Sequence, residues 1–214
     1  TDNFVLYAGT DSIFPVSGLS QETIYHFAVF EFNGTGAEAN YLITSPAVGN
    51  QTTFALEPTT QTSAFGFTVV GTTTLNIKWT NGNGTRRLVL AKANAPVDAL
   101  PTDGEAYTAD ASFGNGAELG TGNFAVFSST IDSVVVTGLN MNTTYHFKVF
   151  EFNGTGGVQN YLTTSAPVAD TFTYLLAAIE LWLEGGWNGT NMDANLVDSL
   201  PLTQPYNQSP WNYA

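Results

Sequence analysis

The chain repeats itself. Shifting it by 120 residues lays Thr1 on Thr121, Tyr25-His26-Phe27 on Tyr145-His146-Phe147, and Asn40-Tyr41-Leu42 on Asn160-Tyr161-Leu162 without a gap. The phrase VFEFNGTG stands unchanged at 29–36 and 149–156, and about half of residues 1–54 are identical to 121–174. Self-similarity at a fixed period marks a tandem array, and a period of this size makes each unit a whole domain. The sequence therefore reads as the C-terminal half of one repeat (1–54), a complete repeat (55–174) and the start of a further, incomplete β-rich domain (175–214). It opens on Thr1 rather than Met, with no charged segment leading into an apolar stretch, and is expected to be a section of something longer.

The repeat is built of strands. In TTTLNIKWT (72–80) Leu75, Ile77 and Trp79 alternate with Asn76 and Lys78, the period of a half-buried strand. NGNG follows, and because Asn-Gly pairs favour tight hairpin turns, 72–80 is expected to pair antiparallel with 86–93. Residues 133–139, 143–152 and 160–172 supply three more strands between Gly, Asn and Thr punctuation, and helical periodicity is absent from the full repeat. Short strands at regular spacing indicate an all-β sandwich.

GLNMNTTYHFKVF (138–150) and its first-copy equivalent GLSQETIYHFAVF (18–30) resemble the fibronectin type III pattern, a Leu followed six residues later by a Tyr that opens the sixth strand. The resemblance implies a tyrosine corner at Leu139/Tyr145 and at Leu19/Tyr25, with Trp79 as the core tryptophan. GNGTRR, PTDGEAYTA, FEFNGTG and NYLTTS together are similar to a longer fibronectin-type-III-like repeat of secreted and surface proteins of Bacteroidetes, cargo of type IX secretion or adhesins. That resemblance spans 1–174, and residues 175–214 are similar to the segment that follows such repeats. The unit is longer than an ordinary sandwich of this class, and the surplus falls at 94–127, an enlarged insertion between the third and fifth strands. On 143–152, Tyr145, Phe147 and Val149 are assigned to the core, leaving His146, Phe150 and Phe152 on the other face. Two outward phenylalanines need a cover, and the insertion, through Tyr107 or Phe113, is expected to provide it.

Composition narrows the chemistry. Eighteen acidic residues against five basic ones give a net charge of −13, which argues against nucleic acid, whose recognition needs a basic footprint. Lys78, Arg86, Arg87 and Lys92 are expected on a solvated sheet face. No apolar run is long enough for a membrane helix, so membrane insertion is not expected. Cysteine is absent, which excludes disulfides and thiolate metal sites.

Glu31 and Glu151 are the repeat-preserved acids. Catalysis by paired carboxylates needs both in one cleft, whereas these stand in separate copies. Each is expected on the inward face at a strand end, within reach of water, accepting N–H groups from its own Asn-Gly-Thr-Gly turn. His26 and His146 alternate with core residues and point outward. DGE (103–105) and NGTNMD (188–193) carry oxygen ligands suited to calcium, but neither matches the twelve-residue calcium loop. There is no Gly-x-Ser-x-Gly elbow and no phosphate loop in its strand-to-helix context. No cofactor and no enzymatic activity are expected. Asn-x-Ser/Thr sequons such as those at Asn33, Asn83 and Asn153 are expected to be turns. The resemblance implies O-glycosylation in Asp-Ser/Thr-aliphatic motifs, here at Ser12, Ser133 and Ser199.

The function expected is a non-catalytic extracellular or cell-surface array: a stalk, spacer or fibre segment contacting neighbouring repeats, identical chains or other surface proteins. One alternative is an accessory module of a secreted hydrolase, contacting carbohydrate through Trp182, Trp187 and Trp211. Another is a filament subunit whose open strand edges are completed by a neighbouring chain.

Overall fold

The computed structural model describes residues 3–175. In the first copy the strands are β1 (Ile24–Val29), β2 (Phe32–Asn33), β3 (Asn40–Tyr41) and β4 (Ala47–Thr52), with a single 3-10 turn at Gly36–Glu38. The complete repeat contains β5 (Ser63–Val70), β6 (Leu75–Thr80), β7 (Arg86–Ala93), β8 (Phe124–Ser129), β9 (Ser133–Val136), β10 (Thr144–Asn153), β11 (Asn160–Tyr161) and β12 (Val168–Phe172).

Two antiparallel sheets face each other. One is β5-β6-β9; the other runs β8-β7-β10, with β11 and β12 sharing the far edge of β10. The alternation read in 75–80 is the reason for the first interface. Leu75, Ile77 and Trp79 from β6 meet Val89 and Ala91 from β7 and Tyr145, Phe147 and Val149 from β10, all buried. Trp79 lies edge-on to Phe127 at 5.1 Å between ring centroids, a favoured aromatic geometry. At the head of β10, the Asn140 N–H donates to the Tyr145 phenol oxygen at 2.9 Å. Ser20 N–H makes the same bond to Tyr25 at 2.8 Å.

The first copy is built on the template of the second. β1 pairs with β4 from Ile24↔Thr52 onward, and β10 with β12 from Thr144↔Phe172 onward, the same register 120 residues apart. Phe32↔Tyr41 and Phe152↔Tyr161 repeat likewise.

The structure corrects the strand reading in four places. β6 and β7 are not a hairpin: β6 pairs with β5 and β9, while β7 pairs with β10 and β8, so the NGNG segment arches between sheets. Consequently Lys78, Arg86, Arg87 and Lys92 do not share one solvated face; Lys78 is exposed on one sheet while Arg87 is buried on the other. Residues 160–172 are two strands, interrupted near Ser165, whose φ of +54° an extended strand does not allow. Finally, Phe124–Phe127 is not insertion but the fourth strand of the repeat, so the long connection is 94–123, between the third and fourth strands.

That connection builds a second core. Leu88 and Leu90 on β7 and Phe150 and Phe152 on β10 point away from the first interface, and Val97 and Leu119 from the long connection close over them with Tyr161. Tyr107 packs at its edge, its ring 6.0 Å from that of Tyr161. Phe150 is fully buried, as its need for a cover required. Phe113, the other candidate cover, instead joins the first core, where its ring stands edge-on to Tyr145 at 5.0 Å. The connection is pinned by backbone bonds such as Phe113 N–H to Thr137 O at 2.9 Å and Ala117 N–H to Thr108 O at 2.8 Å.

Candidate functional site

Glu151 sits in line with Tyr145, Phe147 and Val149, so strand alternation carries its carboxylate inward, where it is wholly buried. It meets Arg87, its register partner on β7. One carboxylate oxygen accepts from Thr62 Oγ1 at 2.6 Å, Gly82 N at 2.8 Å and Arg87 Nε at 2.9 Å; the other accepts from Gly84 N at 3.0 Å. The guanidinium then donates to Gly84 O at 2.7 Å and Thr130 O at 3.0 Å. A buried ion pair is tolerated when every remaining donor and acceptor is matched, and here four donors saturate one carboxylate.

Two features of the expectation change. The glutamate is sealed from water, and its N–H donors come from the arch at Gly82 and Gly84 rather than from its own Asn-Gly-Thr-Gly turn. Gly84 is needed for closeness, since a Cβ there would lie 2.7 Å from the carboxylate and 2.9 Å from Phe152 N. A sealed and saturated carboxylate can take no proton from a substrate; its chemistry is to lock three segments together.

The turn after it has its own reasons. Gly154 has φ +83° and Gly34 φ +85°, a conformation glycine adopts without strain. The Asn153 amide oxygen accepts from Thr85 N at 2.8 Å and its NH₂ donates to Leu56 O at 2.7 Å. Asn83 similarly caps Thr59 and Thr60 N–H at 2.9 and 2.8 Å. These asparagine side chains are occupied as turn braces.

Glu31 occupies the equivalent place in the first copy and has none of this. It is exposed and, among the described residues, its carboxylate makes no hydrogen bond. The chain around it is open too, and the strand is broken there between β1 and β2: Val29 is 64% and Phe30 44% exposed, against 0% for Val149 and Phe150.

The other candidates separate. His26 is exposed and His146 half-buried, and among the described residues no three His, Asp or Glu side chains converge on a metal position. In the DGE segment the Asp103 carboxylate accepts Tyr161 N–H at 2.8 Å, Gly104 N–H donates to Gln159 O at 2.8 Å, and Glu105 O accepts the Tyr161 hydroxyl at 2.9 Å. The segment therefore staples the long connection to β11, and burial pushes the Tyr161 phenol up from its ordinary value. Ser12 lies on an exposed loop, whereas Ser133 is half-buried in β9 opposite Lys78. Ser199, Trp182, Trp187, Trp211 and the NGTNMD segment lie outside the described residues.

A smaller polar contact closes the long connection. The Asp98 carboxylate accepts from Lys92 Nζ at 2.7 Å and from the Asn123 amide at 2.9 Å, and the lysine, followed by the asparagine, holds Asp98 below the usual carboxylate range. A carboxyl whose folded pKa is depressed contributes stability above its unfolded pKa and loses it as pH falls through the folded one. Asp98→Asn should therefore lower the urea midpoint slightly at pH 7, and the difference from the parent should close as pH is taken below about 4. A gap that widened in acid would refute the assignment.

No protein-family profile matches the chain, and no curated relative matches it. Among solved structures, a computationally redesigned β-sandwich protein aligns at TM-score 0.37 and 17% identity, over 58% of this chain and 96% of its own. The fibronectin type III domain of human fibronectin type III domain containing protein 3 aligns at TM-score 0.35 and 16% identity, over 58% and 93%. Domains d3–d4 of the rat CD45 extracellular region align at 0.34 and 13%, over 81% and 76%. The fold assignment rests on the strand order β5-β6-β9 against β8-β7-β10-β12 and on the tyrosine corner; together these describe an all-β, fibronectin type III-like sandwich.

Proposed function

We propose that the chain is a non-catalytic structural segment of an extracellular or cell-surface array, a spacer in which successive sandwiches are held in a fixed relation. The observation that carries this reading is the junction between the copies. Ala55 is buried, its N–H donates to Val158 O at 2.8 Å and its carbonyl accepts from the Asn160 amide at 2.8 Å, while Asn153 holds Leu56 O. The Phe54 ring lies over Gly104, where a Cβ would come within 2.9 Å of it. A free linker has an exposed, unbonded backbone; this one is seated on the DGE segment and the Asn-Gly-Thr-Gly turn. Two of the motifs on which the family resemblance rests thus have a role at the joint of an array, and that resemblance is what supports secretion, a Bacteroidetes source and neighbouring repeats or surface proteins as partners.

The test is backbone ¹⁵N relaxation on the chain. A seated junction predicts one rotational correlation time for residues 19–54 and 55–174. Independent tumbling of the first segment would contradict the spacer reading. Occupancy of Ser12 by glycan, the better presented of the two described motifs, is read by intact mass: the bare polypeptide mass of protein from its native source would remove it.

A further inference from the structure

We propose that the open side of β1 is a docking edge for a first-half segment of the same repeat type, one with the strand pattern of residues 55–120, supplied in line ahead of β1. This inference concerns the sandwich itself and stands whether or not the array is a spacer. The complete copy shows what such an edge takes. β10 is bordered by β12 on one side and by β7 on the other, in the register Tyr145↔Ala93 through Phe152↔Arg86. β1 keeps the first neighbour, as β4, but among the described residues has no partner on the β7 side.

Five apolar side chains left bare around β1 to β3 have buried equivalents in the complete copy. Val29, Phe30 and Phe32 correspond to Val149, Phe150 and Phe152, which pack against Val89, Leu88 and Leu90 on the two faces of β7. Exposed Tyr41 and Leu42 correspond to buried Tyr161 and Leu162. Glu31 corresponds to Glu151, whose four donors all belong to Thr62, Gly82, Gly84 and Arg87, that is, to the first half. Asn33 corresponds to Asn153, whose partners Thr85 and Leu56 are also there.

The occupant is therefore specified in chemistry as well as shape. It must bring a glycine arch whose N–H groups face Glu31, an arginine directly opposite that carboxylate, and apolar residues on both faces of the following strand. A second copy of this chain is a poor source, because its own 55–120 is already engaged with its 121–174, and lending it would unfold that sandwich. A covalently attached segment also has the higher effective concentration.

The experiment uses the full chain with residues 55–120 added again directly ahead of Thr1, so that Gly120 meets Thr1 as it meets Thr121. Hydrogen exchange of residues 25–32 should slow by at least about a thousandfold relative to the unextended chain, the low end of folded-domain equilibrium constants. In the extended chain Glu31→Gln should reverse at least about tenfold of that protection, as expected for losing a charged hydrogen-bonded partner, while leaving the unextended chain unchanged. Unaltered exchange at 25–32 on adding the segment would overturn the proposal. So would a concentration-dependent dimer of the unextended chain protected along this strand, since the edge would then belong to a second copy.

Discussion

Glu151→Gln should destabilise the complete sandwich by about 3–5 kcal/mol, the cost of leaving one member of a buried ion pair without its counter-charge. The amide keeps the shape but turns an NH₂ group toward donors, so at least one of Gly82 N–H, Gly84 N–H or Arg87 loses its acceptor. Arg87→Ala should cost a similar amount, because it strands the carboxylate and also frees Thr130 O and Gly84 O. The double variant should cost clearly less than the two single changes added, since residues of one network couple. Glu31→Gln, in the identical eight-residue phrase, should change stability by no more than about 0.5 kcal/mol, the usual range of an exposed site. Urea unfolding followed by the Trp79 environment reads all four; equal losses at Glu31 and Glu151 would contradict the account.

The second large effect is expected in the core under the long connection. Phe150→Ala should cost about 3–5 kcal/mol, the range for removing a buried aromatic ring where neighbours cannot collapse into the gap. Phe150 is fully enclosed, with Leu88, Leu90, Val97 and Leu119 around it. Those neighbours come from β7 and from the connection, so amides of residues 94–123 should exchange faster in the variant even where the sandwich persists. Phe30→Ala, at a ring nearly half exposed, should cost under about 1 kcal/mol. A Phe150→Ala protein as stable as its parent would mean that the connection is a loose loop and not the lid of a second core.

The contrast between the copies also shows what could be read from the sequence. The period-2 pattern at Leu75, Ile77 and Trp79 identified β6 and its buried face, because one side of that sheet meets solvent. β7 carries the opposite signal. Leu88-Val89-Leu90-Ala91 does not alternate, and such an unbroken apolar run is the mark of a strand covered on both faces. That run, taken with Phe150 and Phe152, was the available sign of the second core, and the need for a cover over Phe150 was legible. Which aromatic supplied it was not: Tyr107 and Phe113 lie six residues apart in an irregular segment, and only its path sends one to each core.

The misread hairpin has a similar origin. Asn-Gly pairs mark a turn, but β6 to β7 is an arch, and Gly82 and Gly84 are there because the Glu151 carboxylate and the backbone at Thr60 and Gln61 crowd their Cα atoms. A turn within a sheet and a turn between sheets share this vocabulary. The inward phase of Glu151 follows from alternation, whereas its partner Arg87 reads from sequence as solvated, since nothing local announces a pairing 64 residues away. The phrase VFEFNGTG recurs where one strand pairing and one left-handed glycine turn are built twice, while among the described residues the buried carboxylate socket is present only at Glu151.

Residue-resolved hydrogen exchange on the chain as it stands tests that claim most directly. Amides of β10 on the β7 side should exchange only with global unfolding of the complete sandwich, while their equivalents in 25–32 should exchange through local opening and far sooner. Matching slow exchange at both copies of the phrase would contradict it.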